Sequence, residues 1–252
     1  MMNSQAVVKK TPKAHKGVRE LNATDQLPNC EIFMNYKDVY DLSEICRNKK
    51  VADVGCGFGT MKKVVEDVGG TWIGIEPFEG GAEIVKGDAQ DLPFPDNTFD
   101  VVLMHAVLEH VPNVSEAFAE VSRVLKPGGV FVGYVSFMES FHEISYTHMS
   151  HKSIEYFSND NGMALERVAP EGGFGVAYNM KIMFHPFPFK LGEWMMNGFL
   201  KMVLKIKSNL SYFFLRWKRK ETPTVAREKA DKYYMIENLR QATGFRFLVR
   251  KI

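Results

Sequence analysis

Cysteine is scarce. Cys30, Cys46 and Cys56 are the only three in 252 residues, too few and too unevenly placed for a disulfide framework or a zinc site. That usage fits a reducing compartment. Long apolar runs are missing as well: none approaches the ~18 residues that a membrane-crossing helix needs. The N-terminus has Lys and Pro where a secretory leader would place its apolar segment. A cytoplasmic location is therefore expected, and it would leave the Asn22-Ala23-Thr24 sequon unmodified. A strong excess of one charge is also lacking. The net charge of +2 argues against a surface given over to nucleic acid.

The charge that is present is unevenly spread. Lys9, Lys10, Lys13, Lys16 and Arg19 face only Glu20 in the first twenty residues, and residues 190–220 carry eight Lys or Arg against Glu193. Basic segments on an otherwise acidic body predict surface contacts there. With 45% hydrophobic and 25% charged residues, the chain can bury one good-sized core, so one domain with elaborations is the expectation.

Residues 1–30 lack periodicity and read as a flexible arm. A helical pattern follows from Glu31 to Cys46, then the short β-branched run VADV, which reads as a buried parallel strand. Beyond it the pattern alternates. A helix is predicted over Thr60–Val68, strands over Thr71–Ile75, Glu83–Val85 and Phe99–Met104, a helix over Val114–Leu125 and a strand over Val130–Val135. Helix Ser153–Asn161, strand Ala164–Val168 and a last strand Phe245–Arg250 complete the series. Strands alternating with helices predict a parallel sheet covered on both faces. The divisions expected are the arm 1–30, a core 31–174, a helical insertion or lid 175–222, and a C-terminal helix and strand 223–252.

The sharpest local feature is VADVGCGFGT, residues 51–60, where a strand runs into Gly55, Gly57 and Gly59 before a helix. Glycines there permit positive φ and let backbone approach a nucleotide-like ligand. The dinucleotide pattern GxGxxG is not met, because Thr60 holds its last position. Glu76 ends the next strand, seventeen residues after Gly59, where a carboxylate can accept both hydroxyls of a ribose.

GDAQDLPFPDNTFDVVLMHAVLEHV, residues 87–111, follows, and then LKPGG, residues 125–129. Over residues 51–135 the chain resembles the class I S-adenosylmethionine-dependent methyltransferases, in particular the metal-independent group with DxxDLPF, LEH and LKPGG signatures. The resemblance implies an α/β, Rossmann-like, seven-stranded and mostly parallel sheet with helices on both faces. The insertion lies before its last strand. It also implies S-adenosyl-L-methionine as cofactor. On that resemblance Asp53, Gly55, Cys56 and Gly57, with Gly59 closing the loop, face the methionine part and adenosine. Glu76 holds the ribose, Asp88 and the backbone of Ala89 hold the adenine, and His105 lies near the cofactor. Phe78 is placed against the adenine face, and Leu108, Glu109 and His110 brace the fourth strand. One departure stands out: only eight residues separate Glu76 from Val85, too few for the family's usual helix. No NPPY or DPPY follows the fourth strand, and no magnesium-binding Asp, Asp, Asn set is present there. A nucleic-acid base and a metal are both disfavoured.

On the acceptor side, SFMESFHEISYTHMSHKS, residues 136–153, packs His142, His148 and His151 into one loop. Removing the proton of a hydroxyl acceptor suits a histidine near neutral pH. His142 or His148 is the predicted base, with Tyr146 orienting the acceptor. The reaction expected is O-methylation of a small, partly apolar metabolite. The alternatives are N- or C-methylation, or cofactor binding without catalysis. In a helix over Glu193–Lys218, Met195, Met196, Phe199, Met202, Val203, Ile206, Leu210, Phe213, Phe214 and Trp217 share a face. Lys201, Lys205, Ser208 and Arg216 lie opposite. Three coverings remain open for that stripe: the core or a lid, a membrane surface in peripheral contact, and a homodimer partner.

Overall fold

The computed structural model describes residues 27–78, 83–139, 144–184 and 190–252. Among these, eight strands form one sheet in the order β1-β7-β8-β6-β5-β2-β3-β4. The strands are β1 (Glu31–Ile32), β2 (Lys50–Val54), β3 (Thr71–Glu76), β4 (Ile84–Lys86), β5 (Phe99–His105), β6 (Leu125–Ser136), β7 (Met163–Phe174) and β8 (Ala242–Lys251). All neighbours pair in parallel except β8, which runs antiparallel to β6 and β7.

The alternation along β5 and β6 explains the layering. Val102, Met104 and Phe131 face one core, shared with Phe118 and Val121 of α3 (Val114–Val124) and Ile154 of α4 (His151–Asp160). Val101, Leu103, Val130 and Val132 face the other, shared with Val65 of α2 (Lys62–Glu66) and with Trp72. Successive side chains of a strand point to opposite faces, so strands that are apolar throughout demand cover on both. Edge-to-face contacts of Phe131 with Phe118 at 5.5 Å and with Phe247 at 4.9 Å tie the first core together.

Two expectations require correction. Among the described residues the sheet has eight strands, not seven: Glu31–Ile32 adds an edge strand in register with Arg167 and Val168 of β7. The stretch from Glu31 to Cys46 is accordingly no single helix. It holds β1, a 3-10 turn at Tyr36–Asp38 and the short α1 (Leu42–Ile45). The physical reason is capping. Asn35 accepts from the Lys37 amide at 3.2 Å and Asp41 from the Ser43 amide at 2.8 Å, each starting a new turn. The open edge of β7 captures the residues before them.

The insertion comprises α5 (Gly175–Met183) and the long α6 (Lys190–Lys218), followed by α7 (Pro223–Gln241), which leads into β8. Pro223 at the first turn and Thr222 as N-cap start α7 where the sequence would place a helix end. The side of α6 opposite its apolar stripe is the packed one: Ser208 and Leu215 are buried, and Ser208 donates to the carbonyl of Ala230 of α7 at 2.9 Å. The apolar stripe faces outward. No helix among the described residues is long and apolar enough to cross a membrane.

Candidate functional site

The sheet order reverses beside β2, which has β3 on one side and β5 on the other. In open α/β sheets ligands settle at the carboxyl ends of the strands at such a point. There a cleft of about 320 Å³ is lined by Gly55, Glu76, Phe78, Asp88, Ala89, Gln90, Ala106, Val107 and His110, among others. That volume lies within the range of small-molecule sites.

The glycine loop forms one wall. The amides of Gly55 and Cys56 donate to the carbonyl of Ile75 at 2.9 and 3.3 Å, folding the loop onto the end of β3. Gly55 has φ of +69°, and a Cβ there would lie 2.4 Å from Cγ2 of Val107, so the backbone approaches as only glycine permits. Glu76 closes the loop from the other side, accepting from the Gly57 amide through Oε1. Asp88 Oδ1 accepts from the backbone and side-chain nitrogens of Gln90 at 2.8 and 3.1 Å. Gln90 Oε1 in turn accepts from the Asn113 amide at 2.9 Å. Ala106, at the end of β5, adopts φ of +56°. A non-glycine residue in that region beside a cleft marks a constrained ligand wall.

Of the residues expected to hold the cofactor, Gly55, Glu76, Asp88 and Ala89 share this cleft. Asp53, Cys56, Gly57, Gly59 and His105 are not among its lining residues. Asp53 is buried on the far side of β2, accepting from Trp72 Nε1 at 2.9 Å. Burial pushes its carboxyl up to about 6, against the opposing Trp72 bond and with a smaller push from Glu76. Burial, followed by Asp53 and Glu76, likewise pushes the Cys56 thiol up to about 11, so it stays protonated and is no nucleophile.

The Asp53 shift has a testable consequence. The folded chain retains a proton that the unfolded chain releases near pH 4. The stability from this group is complete below the unfolded value and declines as pH rises toward about 6. Asp53→Asn keeps an acceptor for Trp72, so it should flatten this decline and raise the melting temperature at neutral pH. A fall in melting temperature at neutral pH would show instead that the fold requires the ionised carboxylate.

The acceptor side contains what sequence reasoning missed. His105 stacks on Tyr134 with ring centroids 5.4 Å apart. Loss of water holds its imidazole below the ordinary value; Glu171 and Glu109 oppose this, and Arg246 adds to it. Tyr134 Oη donates to Glu139, and Ser136 Oγ lies 2.7 Å from Glu109 Oε1 and 3.1 Å from Glu139 Oε2. Glu109 is fully buried, and its carbonyl accepts from the Tyr146 and Thr147 amides at 2.7 and 3.3 Å. The LEH turn thus holds the loop after β6, with His110 Nδ1 also 2.7 Å from the carbonyl of Ile144. Of this network the sequence pointed to His105 and to Leu108, Glu109 and His110; Tyr134, Ser136 and Glu139 were not singled out.

His148 Nδ1 lies 3.1 Å from the Phe137 carbonyl, and the residue lines a second cavity of about 360 Å³ with Asn113, Thr147 and Phe157, which meets the first only at Pro112. Tyr146 is exposed. His142 lies outside the described residues. His151 is not in the loop at all: it opens α4 and packs edge-on against Phe245 at 5.4 Å. Among the described residues no group of three His, Cys, Asp or Glu is arranged to hold a metal ion.

Comparison with known proteins agrees with this geometry. Residues 52–133 match the family described as a methyltransferase domain. The chain is 30% identical over 188 residues to an uncharacterised protein of Methanocaldococcus jannaschii, covering 66% of this chain and 77% of that one. It is 34% identical over 107 residues to a sterol 4-C-methyltransferase of Caenorhabditis elegans, covering 36% of this chain and 32% of the relative. The chain spans about a third of the length of such curated methyltransferases. In fold, it matches an S-adenosylmethionine-dependent methyltransferase of Methanosarcina mazei with a TM-score of 0.50 at 14% identity, covering 87% and 99% of the two chains.

Proposed function

From the match of residues 52–133 to a methyltransferase domain, we infer S-adenosylmethionine-dependent methyl transfer to a small, partly apolar acceptor. The observation that carries this is the cleft bringing Gly55, Glu76, Asp88 and Ala89 together from the carboxyl ends of β2, β3 and β4. When bound, S-adenosylmethionine supplies a methyl group activated by a positive sulfur. The protein's part is binding, orientation and proton management. Glu76 accepts the ribose hydroxyls, for which its Gly57 contact pre-orients it. Asp88 and the Ala89 backbone take the adenine, while Asp53, Cys56, Gly57 and Gly59 hold the loop that meets the methionine part. His105 borders the reacting end.

Orientation dominates such a reaction, since aligning the nucleophile with the methyl group is worth ~7 to 11 kcal/mol. Proton removal adds roughly 10²- to 10⁴-fold. For an oxygen acceptor, His142 or His148 serves as the base, with Tyr146 orienting the substrate. Alanine at the working histidine should lower turnover by about that factor while cofactor affinity holds. Full activity of the His142→Ala/His148→Ala double variant across pH would remove a histidine base. Nitrogen is the second acceptor reading, favoured by the half-buried carboxylate of Glu139 beside Tyr134, which would attract an amine and take up the proton it must lose before accepting the methyl group.

Two measurements test the reading. S-adenosylmethionine or its demethylated product should raise the melting temperature by mass action, and transfer of labelled methyl to a panel of phenols, amines and apolar metabolites should identify the acceptor. Stabilisation by a nicotinamide cofactor alone would overturn it.

A further inference from the structure

The outward face of α6 is the largest unexplained feature of the surface. Along some 33 Å of helix, at 1.5 Å per residue, Met195, Phe199, Met202, Ile206, Phe213 and Trp217 project away from the body. Ile206 is 51% exposed, and Trp194 and Trp217, toward the two ends, are 73% and 77% exposed. Soluble chains seldom leave a contiguous apolar stripe of this length in water. It is not the packing face, since Ser208 and Leu215 on the reverse are buried and Ser208 bonds to α7.

We propose that this face docks the protein on an anionic lipid surface, with α6 lying in the interface plane. Charge selects that occupant. The helix carries six Lys or Arg against Glu193 alone. By helical periodicity, Lys205 and Arg216, expected opposite the stripe, instead border it on one side, and Lys207 and Lys218 border it on the other. Lys205 lies 5.2 Å from the ring of Tyr234 and Lys207 is 3.2 Å from Glu237, yet both remain exposed. An apolar face bordered by cations on both flanks fits acyl chains below and anionic headgroups beside it. Trp217, exposed near one end of the stripe, suits the boundary between the two. A second copy of the chain fits poorly, because a two-fold contact through this face would bring its cationic flanks against their own duplicates.

The test uses the full chain with vesicles of phosphatidylcholine alone or mixed with phosphatidylglycerol. Flotation at low salt should recover the protein with mixed vesicles. Affinity should fall about tenfold or more at high salt or on phosphatidylcholine alone, because each nearby cation contributes separately. Trp217 is exposed on the stripe while Trp72 is buried, so binding should shift the intrinsic fluorescence to the blue. Phe199→Asp/Ile206→Asp alters exposed positions only; it should keep the melting temperature and lose vesicle binding by at least about tenfold. If that variant misfolds, the salt and lipid dependence of the unaltered protein decides. Absence of flotation at low salt, or equal binding to both vesicle types, overturns the proposal. So does concentration-dependent dimerisation, in the absence of lipid, that the double variant abolishes.

Discussion

Gly55→Ala should lower the melting temperature by about 5 to 15 °C and abolish detectable binding of S-adenosylhomocysteine. Two costs add. An alanine at φ of +69° carries left-handed strain of roughly 1–2 kcal/mol. Its Cβ, 2.4 Å from Val107 Cγ2, forces an overpacking shift of about 1–3 kcal/mol. Val107 cannot swing aside cheaply, because a β-branched side chain has few χ1 options. It also lines the ligand cleft, so its displacement falls where the cofactor would lie. Gly57→Ala is the control. Its φ is +55°, but a Cβ there meets nothing within 4 Å, so only the backbone strain remains. Melting curves and calorimetric titration of both variants check this. Equal behaviour of the two would show that the Val107 contact is not what shapes the site.

Glu76→Ala should weaken binding of the same ligand by about 5- to 150-fold, corresponding to ~1–3 kcal/mol for a hydrogen bond to a charged group. The ligand-free melting temperature should change little, because the side chain lies at the mouth of a cleft and makes one described bond, to Gly57. Glu76→Gln retains an acceptor without the charge and should fall between. Undiminished affinity in Glu76→Ala would separate the ribose site from this carboxylate. A loss of folded stability comparable to that of Gly55→Ala would make Glu76 a structural clasp of the glycine loop.

The sequence determined the cofactor side of this protein by itself. A buried strand running into glycines and a carboxylate ending the next strand are local signals, and parallel topology brings such strand ends together. That is why Gly55 and Glu76 were legible from local pattern, whereas Asp88 and Ala89, which line the same cleft, were placed only by the resemblance. What tertiary structure alone decided has the opposite character. The pairing of Glu31–Ile32 with β7 joins residues more than a hundred positions apart, and short caps outweighed the helical pattern around it. Trp72 meeting Asp53, Val107 filling the space beside Gly55, and Glu109 reaching Glu139 through Ser136 all depend on which side chains meet across elements. The apolar stripe of α6 was plain from its periodicity, but periodicity defines a face without saying what covers it. Ser208 bonding to α7 turned the side opposite the stripe inward and left the apolar side facing out, because a helix packs by the fit and hydrogen bonds of its neighbours as well as by hydrophobicity.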